Sequence, residues 1–312
     1  MVAIQQGVLL KNYSNFKIGG PARFFTEVDS MGELKEVLHS AKQNQDLKVF
    51  VLGGGTNVLI GDEGFDGLVI YNKIVGIQEQ GDGLIVGSGV LVKDLLGYCV
   101  ENSLSGFEWA GGLPGTIGGA VRGNAGAFKG ETKDSVVEVR SLDVNNFEKK
   151  TRANRECSFG YRDSIFKSGE GSSEFITHIL LELVLGDKEE IREKIQQKID
   201  YRNSHHPMSY PSIGSIFKNI PLDSLSQDLQ KEFSAFVKTD PFPVVPTAKL
   251  LALADLKGRK AGGAMISDKH PNFIVNIDNA TCQDVKALIE IAKGAVKEKY
   301  NISLEEEIIY LS

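Results

Sequence analysis

The sequence predicts an α+β fold in two domains. Three observations carry this. The chain has 312 residues, enough for two cores at the usual domain size. Strand-like and helix-like patterns alternate along its whole length. The 34 glycines crowd into Gly53–Gly67 and Gly106–Gly130, with a smaller group at Gly258–Gly263, so they punctuate the pattern instead of diluting it.

Taken in order, Ser30 with Glu33 reads as a capping box opening a helix whose inner face is Leu34, Val37, Leu38 and Ala41. Lys48–Leu52 is a short buried strand that runs into the first glycines. Leu68–Tyr71 and Leu84–Val86 are strands, and Val92, Leu95, Leu96 and Cys99 line a second helix. Val136–Val144 and Phe175–Leu185 are strands rich in β-branched residues. A charged helix covers Lys188–Tyr201, and a domain break is expected near residues 188–205. Beyond it come a polar stretch to Asn219, a helix near Leu222–Phe236, a link marked by Pro241, Pro243 and Pro246, and an apolar helix at Thr247–Leu256. A strand at Phe273–Ile277 leads to a helix opened by Thr281, with Asp284 at the capping-box offset. A last strand spans Leu304–Leu311.

A net charge of −6 excludes general nucleic-acid binding, which calls for a clustered basic surface. The three cysteines are far apart and form no C-x-x-C pair, so neither a disulfide framework nor a metal site is expected, and a reducing cytoplasm fits. The first residues lack a basic segment followed by an apolar one, so no signal peptide is expected. The longest apolar run, Ile179–Leu185, is broken by Glu182 and is too short for membrane insertion.

Gly53, Gly54, Gly55, Thr56 and Asn57 follow a strand. Successive glycines let a ligand approach main-chain N–H groups, and such groups pointing inward form an anion nest suited to a diphosphate; a plain glycine-rich turn between strands is the alternative. The stretch is neither a G-x-G-x-x-G fingerprint nor a P-loop. The second stretch, Ala110–Gly126, is apolar and glycine-dense, and ordering such a segment costs chain entropy. Its composition suits backbone lying flat against a planar ligand: Pro114 sets a turn, Gly115, Thr116, Gly118, Gly119, Ala120 and Gly126 keep the surface bare, and Asn124 offers a polar handle. A ligand with a diphosphate and a flat ring system, such as a dinucleotide, is the expected occupant of both stretches.

GGGTNVLIGDEGFDGLVI (Gly53–Ile70), AGGLPGTIGGAVRGNAGAF (Ala110–Phe128), FGYRDSIFK (Phe159–Lys167), GSIFKN (Gly214–Asn219) and LEEEI (Leu304–Ile308) stand in the order found in the UDP-N-acetylenolpyruvoylglucosamine reductase family, which the chain resembles from about Asn12 to Leu311. The resemblance implies an FAD-binding domain of the vanillyl-alcohol-oxidase (PCMH) type over residues 1–190, in two α+β lobes of roughly 1–72 and 73–190, and a smaller α+β substrate domain over 200–312. It implies NADPH as reductant, and reduction of UDP-N-acetylglucosamine enolpyruvate to UDP-N-acetylmuramate for peptidoglycan synthesis. A cytoplasmic monomer is expected.

Hydride delivery to a conjugated enol ether leaves negative charge on the neighbouring carbon and its carboxylate, so the site needs a cation and a proton donor. Arg162 suits the cation, because a guanidinium grips a carboxylate bidentately; a structural pair with Asp163 is the alternative. Ser215 resembles the family's proton donor, and Lys218 stands ready for a developing alkoxide or a substrate phosphate. Glu307 matches the family glutamate. Strand alternation sets Glu305 and Glu307 on one face and Glu306 on the other. Tyr161 and Asn219 are expected substrate contacts, Trp109 packs beside the second cradle, and His205 and His206 belong to a helix end.

Four features depart from the family pattern. Phe128-Lys129-Gly130 stands where Tyr-Gly-Gly is frequent, Pro221–Pro246 is long, Pro246-Thr-Ala-Lys-Leu-Leu replaces a more apolar segment, and LEEEI lacks a proline. The substrate-clamping tyrosine loop of the larger subtype is not identifiable, which points to the loop-lacking subtype. Two other readings are a flavin oxidase on the same cofactor fold and a non-catalytic flavin- or nucleotide-binding protein.

Overall fold

In the computed structural model of the chain, residues 2–43 and 47–312 are described. The chain forms two compact units. One comprises residues 1–8, Ala22–Gly54 and Asp66–Tyr201; the other comprises Leu9–Pro21, Gly55–Phe65 and Arg202–Ser312.

In the first unit, strand Lys48–Leu52 lies parallel to strand Phe65–Asn72, with Leu52 opposite Tyr71. Helix Met31–Lys42 covers them. Ser30 accepts from Glu33 N at its start, while the Glu33 carboxylate reaches back one residue further than a standard box, to Asp29 N. Its face Leu34, Val37, Leu38 and Ala41 is buried against Val28, Leu68, Ile70 and Phe175; fully burying a side chain such as Leu34 stabilises by roughly 1.5–3 kcal/mol. A second sheet of five strands runs in the order Lys149–Ala153, Val136–Asp143, Glu174–Glu182, Gly83–Gly87, Ile77–Gln80, and all four pairings are antiparallel. Helix Val92–Glu101 packs Val92, Leu95, Leu96 and Cys99 into that core together with Trp109, Ile117 and Val121. The charged helix extends over Lys188–His205, four residues past the expected end.

The second unit gathers Phe16, Ile18 and Leu59 from its early segments with Ile216, Phe217, Leu250, Ile274, Val285 and Leu288 in one core. Helix Cys282–Tyr300 opens with a full capping box between Thr281 and Asp284. Strand Ile309–Leu311 runs parallel to Val58–Ile60. Two elements differ from expectation. The helix near Leu222–Phe236 is three short pieces, Leu222–Ser224, Gln227–Glu232 and Ser234–Phe236, because Ser226 takes Leu229 N in a new N-cap and breaks the first turn. The last strand is shorter than Leu304–Leu311 because the chain changes partner: Glu307 N bonds Ile216 O, and two residues on Ile309 N bonds Asn57 O.

Cys99, Cys157 and Cys282 are buried free thiols. Among the described residues, no helix is long and apolar enough to cross a membrane.

Candidate active site

Within the first unit the two glycine stretches touch backbone to backbone. A Cβ on Gly54 would lie 2.8 Å from Gly115 Cα, and one on Gly53 would lie 2.8 Å from Thr116 Oγ1. At Gly54, where the obstacle is backbone, only glycine fits such an approach. Thr116 caps the short helix Ile117–Arg122 by accepting from Gly119 N. Gly118 lies against Ser88, where a Cβ would come within 2.9 Å of the carbonyl oxygen. Among the described residues, no turn or loop hydrogen bond takes the N–H of Gly53, Gly54, Gly115 or Thr116. Buried or half-buried N–H groups need partners, so these donors together form a surface suited to an anionic ligand such as a diphosphate. In the second unit, Asn57 donates through Nδ2 to Glu307 O at 3.1 Å.

Asn124 does not offer its amide as an open handle. It is fully buried, its Nδ2 donates to Glu131 Oε1 at 3.1 Å and to Gly160 O at 2.9 Å, and its Oδ1 accepts from Lys133 N. Its effect on a ligand therefore runs through the shape of the cradle, which it ties to the loop carrying Tyr161 and Arg162.

Arg162 has a left-handed backbone, φ 56°, a conformation that strains a non-glycine residue by roughly 1–2 kcal/mol and that clusters at functional sites. Its Nη2 donates to Gly126 O at 2.6 Å, and its guanidinium lies over the Tyr161 ring, 5.1 Å from the centroid. Asp163 accepts instead from Ser164 N and Ser168 Oγ. Two further left-handed residues, Phe128 and Lys129, form the two-residue tip of the hairpin pairing Gly126–Ala127 with Gly130–Glu131, the geometry of a type I′ turn that normally favours Asn-Gly. Trp109 packs on Gly130, leaving no room for a Cβ there.

In the second unit, the segment that carries Ser215, Lys218 and Asn219 pairs through its backbone with the segment that carries Glu307. Phe217 faces Glu306 and Ser215 faces Phe273 in antiparallel bridges. Glu307 N donates to Ile216 O at 2.8 Å, and Lys218 N to Glu305 O at 2.9 Å. Glu305 and Glu306 differ in their partners. Glu305 holds Lys218 Nζ at 2.6 Å, and Glu306 is engaged by Lys293 and the Tyr310 hydroxyl. Hydrogen bonding to Glu306 raises the Lys293 ammonium above its ordinary range.

Helix Lys188–His205 ends at His205, and His206 packs on the rings of His270 and Phe273. Burial, reinforced by His270 and Arg202, pushes the His206 imidazole down to about 3; burial, reinforced by Lys238, pushes His270 down to about 4. Both rings are neutral at pH 7. Among the described residues, no three His, Cys, Asp or Glu side chains group as a metal site. Sequence reasoning missed Asn272 and Thr247, which brace the Ser215 segment; a lone Asn after a proline and a Thr opening a helix gave no signal of it.

The chain matches the family model described as UDP-N-acetylenolpyruvoylglucosamine reductase, C-terminal domain, over residues 206–311, and that of an FAD binding domain over 22–146. The UDP-N-acetylenolpyruvoylglucosamine reductase of Clostridium novyi (strain NT) is 34% identical over 307 residues, 98% of this chain and 91% of the relative. The protein of the same name from Caldanaerobacter subterraneus subsp. tengcongensis is 35% identical over 300 residues, 96% and 90% of the two chains. The crystal structure of the reductase from Thermus caldophilus superposes with a TM-score of 0.77 at 30% identity, covering 100% of both chains. The cofactor of the first unit is FAD, and the bare backbone donors beside Gly53 and Gly115 fit its diphosphate. With its cradle, its second unit and these relatives in agreement over nearly the whole length, the chain belongs to the UDP-N-acetylenolpyruvoylglucosamine reductase family of FAD-dependent oxidoreductases.

Proposed function

We propose that the chain uses NADPH to reduce UDP-N-acetylglucosamine enolpyruvate to UDP-N-acetylmuramate, a step of peptidoglycan precursor synthesis. The observation that carries this reading is the pairing of the Ser215–Lys218 segment with Glu305–Glu307, which sets a candidate proton donor and a candidate glutamate on adjoining chain segments. When bound and reduced, FAD supplies the hydride. Gly53, Gly54, Gly115 and Thr116 hold its diphosphate through backbone N–H groups; Gly55, Thr56, Asn57, Pro114, Gly118, Gly119, Ala120, Asn124 and Gly126 complete or shape the cradle.

Arg162 grips the substrate carboxylate, whose negative charge grows as hydride reaches the neighbouring carbon. Its bond to Gly126 O fixes the guanidinium. Ser215 Oγ gives its proton to the carbanion; a hydroxyl suffices because a carbanion is a strong base. Lys218 stabilises the resulting alkoxide or takes a substrate phosphate, exchanging Glu305, whose side chain is 69% exposed and easily resolvated. Glu307 polarises the enolpyruvyl group, and Tyr161 and Asn219 contact the substrate. The enzyme is of the loop-lacking subtype and works as a cytoplasmic monomer, which size-exclusion chromatography checks.

The deciding experiment is anaerobic. NADPH bleaches the flavin, and UDP-N-acetylglucosamine enolpyruvate restores its colour in the absence of oxygen. Recolouring by oxygen alone would make the chain an oxidase and overturn the reading.

A further inference from the structure

Each backbone group of the three residues after Ser215 has an identifiable partner. Ile216 N donates to Asn272 O and Ile216 O accepts from Glu307 N, both at 2.8 Å; Lys218 N donates to Glu305 O at 2.9 Å. The other three groups are met by side chains. Asn272 Oδ1 accepts from Phe217 N at 3.0 Å, Asn272 Nδ2 donates to Phe217 O at 2.8 Å, and Thr247 Oγ1 donates to Lys218 O at 2.5 Å.

The segment is extended backbone with two neighbours, Glu305–Glu307 along Phe217 and Lys218, and Asn272–Phe273 at Ser215 and Ile216. Lys218 and Ile216 bond the Glu305–Glu307 backbone, so Phe217 between them turns its N–H and C=O the other way. On that side, among the described residues, no backbone group meets Phe217; the amide of Asn272, 2% exposed, presents the same acceptor–donor pair that a strand would. Thr247, fully buried, closes the next carbonyl, and its own N–H reaches Asn219 Oδ1 at 3.2 Å. The backbone of Phe273, the residue after Asn272, bridges Ser215 itself.

We propose that Asn272 and Thr247 are positioning residues that set where Ser215 stands relative to Glu307, and so govern the proton-transfer half of the reaction without touching substrate or cofactor. This rests on the reading of Ser215 as the proton donor. A buried amide or hydroxyl that answers backbone polar groups has no slack: removing one partner leaves the other unsatisfied, and the segment shifts to find water. A displacement of the donor by about 1 Å costs on the order of 100-fold in rate.

The test uses the FAD-loaded enzyme in anaerobic stopped flow, with flavin reduction by NADPH and flavin reoxidation by UDP-N-acetylglucosamine enolpyruvate measured separately. Thr247→Val keeps the shape and removes one donor; reoxidation is expected to slow about tenfold, the equivalent of one lost buried hydrogen bond, while reduction holds within about twofold. Thr247→Ser, which keeps the hydroxyl, is expected to recover the rate. Asn272→Asp, which sets a carboxylate oxygen against Phe217 O, is expected to slow reoxidation about 100-fold. In a Ser215→Ala background neither substitution should add more than about twofold, since the group they position is gone. Thr247→Val also carries the test should Asn272→Asp fold poorly, and hydrogen exchange over Ser215–Asn219 should rise in Thr247→Val and return in Thr247→Ser. Equal slowing of both half-reactions, no recovery in Thr247→Ser, or effects that multiply with Ser215→Ala would overturn the proposal. If Ser215→Ala slows reoxidation and the other variants do not, the positioning role fails alone; if Ser215→Ala itself leaves reoxidation unchanged, the proton-donor reading falls and the positioning role with it.

Discussion

The cofactor cradle of the first unit and the Ser215–Asn219 segment of the second each hold a backbone in a fixed course, by opposite means. At Gly53, Gly54 and Gly115 the chain is shaped by what is missing: no side chain stands between the two stretches, and their donors are left open. At Ile216–Lys218 it is shaped by what is added, with the side chains of Asn272 and Thr247 closing the three backbone groups that no neighbouring backbone takes. A surface suited to a large flat ligand keeps its hydrogen-bonding capacity unused, whereas the segment that carries Ser215 has that capacity satisfied internally.

The sharpest way to break this contrast is at the aimed hydroxyl. Ser215→Ala is expected to spare flavin reduction by NADPH and to slow reoxidation by the enolpyruvyl substrate by about 10²–10⁴-fold, the usual worth of a positioned proton donor; single-turnover rates of the two half-reactions read it directly. The cradle comes next. Gly54→Ala drives a Cβ into the Gly115 backbone at 2.8 Å, whereas Gly53→Ala meets a side-chain oxygen at the same distance. Backbone cannot swing aside, so Gly54→Ala should lose FAD on gel filtration and Gly53→Ala should retain most of it, with Thr116 turning away at a cost of about 1 kcal/mol of cap. Equal flavin content in both variants would contradict the close-approach account.

These two regions were also unequally legible. The cradle could be read because the requirement for bare backbone is written as glycine, and Thr116 and Pro114 stand inside the same stretch. Helix faces such as Leu34, Val37, Leu38 and Ala41 were legible through their period, and Thr281 with Asp284 through a three-residue offset. The bracing of Ser215 was not, because Asn272 is 55 residues from Phe217 and nothing local distinguishes it from any other asparagine. The break at Ser226 and the change of partner after Glu307 were hidden for a related reason: each depends on which group captures a backbone N–H, and that choice is made in three dimensions. The joining of Leu9–Pro21 and Gly55–Phe65 to the second unit was likewise out of reach of composition.

A smaller effect is set by pH. His206 and His270, both in the second unit, are held neutral with values near 3 and 4 against the usual 6.5. Below pH 6.5 an unfolded chain takes up protons that the folded one refuses, so stability present above that pH is lost as pH falls towards 4, at about 1 kcal/mol per pH unit for each histidine. Urea denaturation at pH 7.5 and pH 5 should show the loss, and His270→Phe should flatten it. Smallest of all, Thr281→Ala should cost about 1 kcal/mol by opening the capping box of helix Cys282–Tyr300, visible as a lower midpoint with flavin content unchanged.

The parallel pairing of Ile309–Leu311 with Val58–Ile60 carries a consequence for the order of assembly. Asn57 and Glu307 are 250 residues apart, so an early strand waits for almost the entire chain before it has a neighbour. Contacts of such separation form late and slow folding. While translation proceeds, Val58–Ile60 is an unpaired edge, and Glu307 arrives in the same stroke that closes it. Completion of the second unit and placement of Glu307 are therefore one event in time.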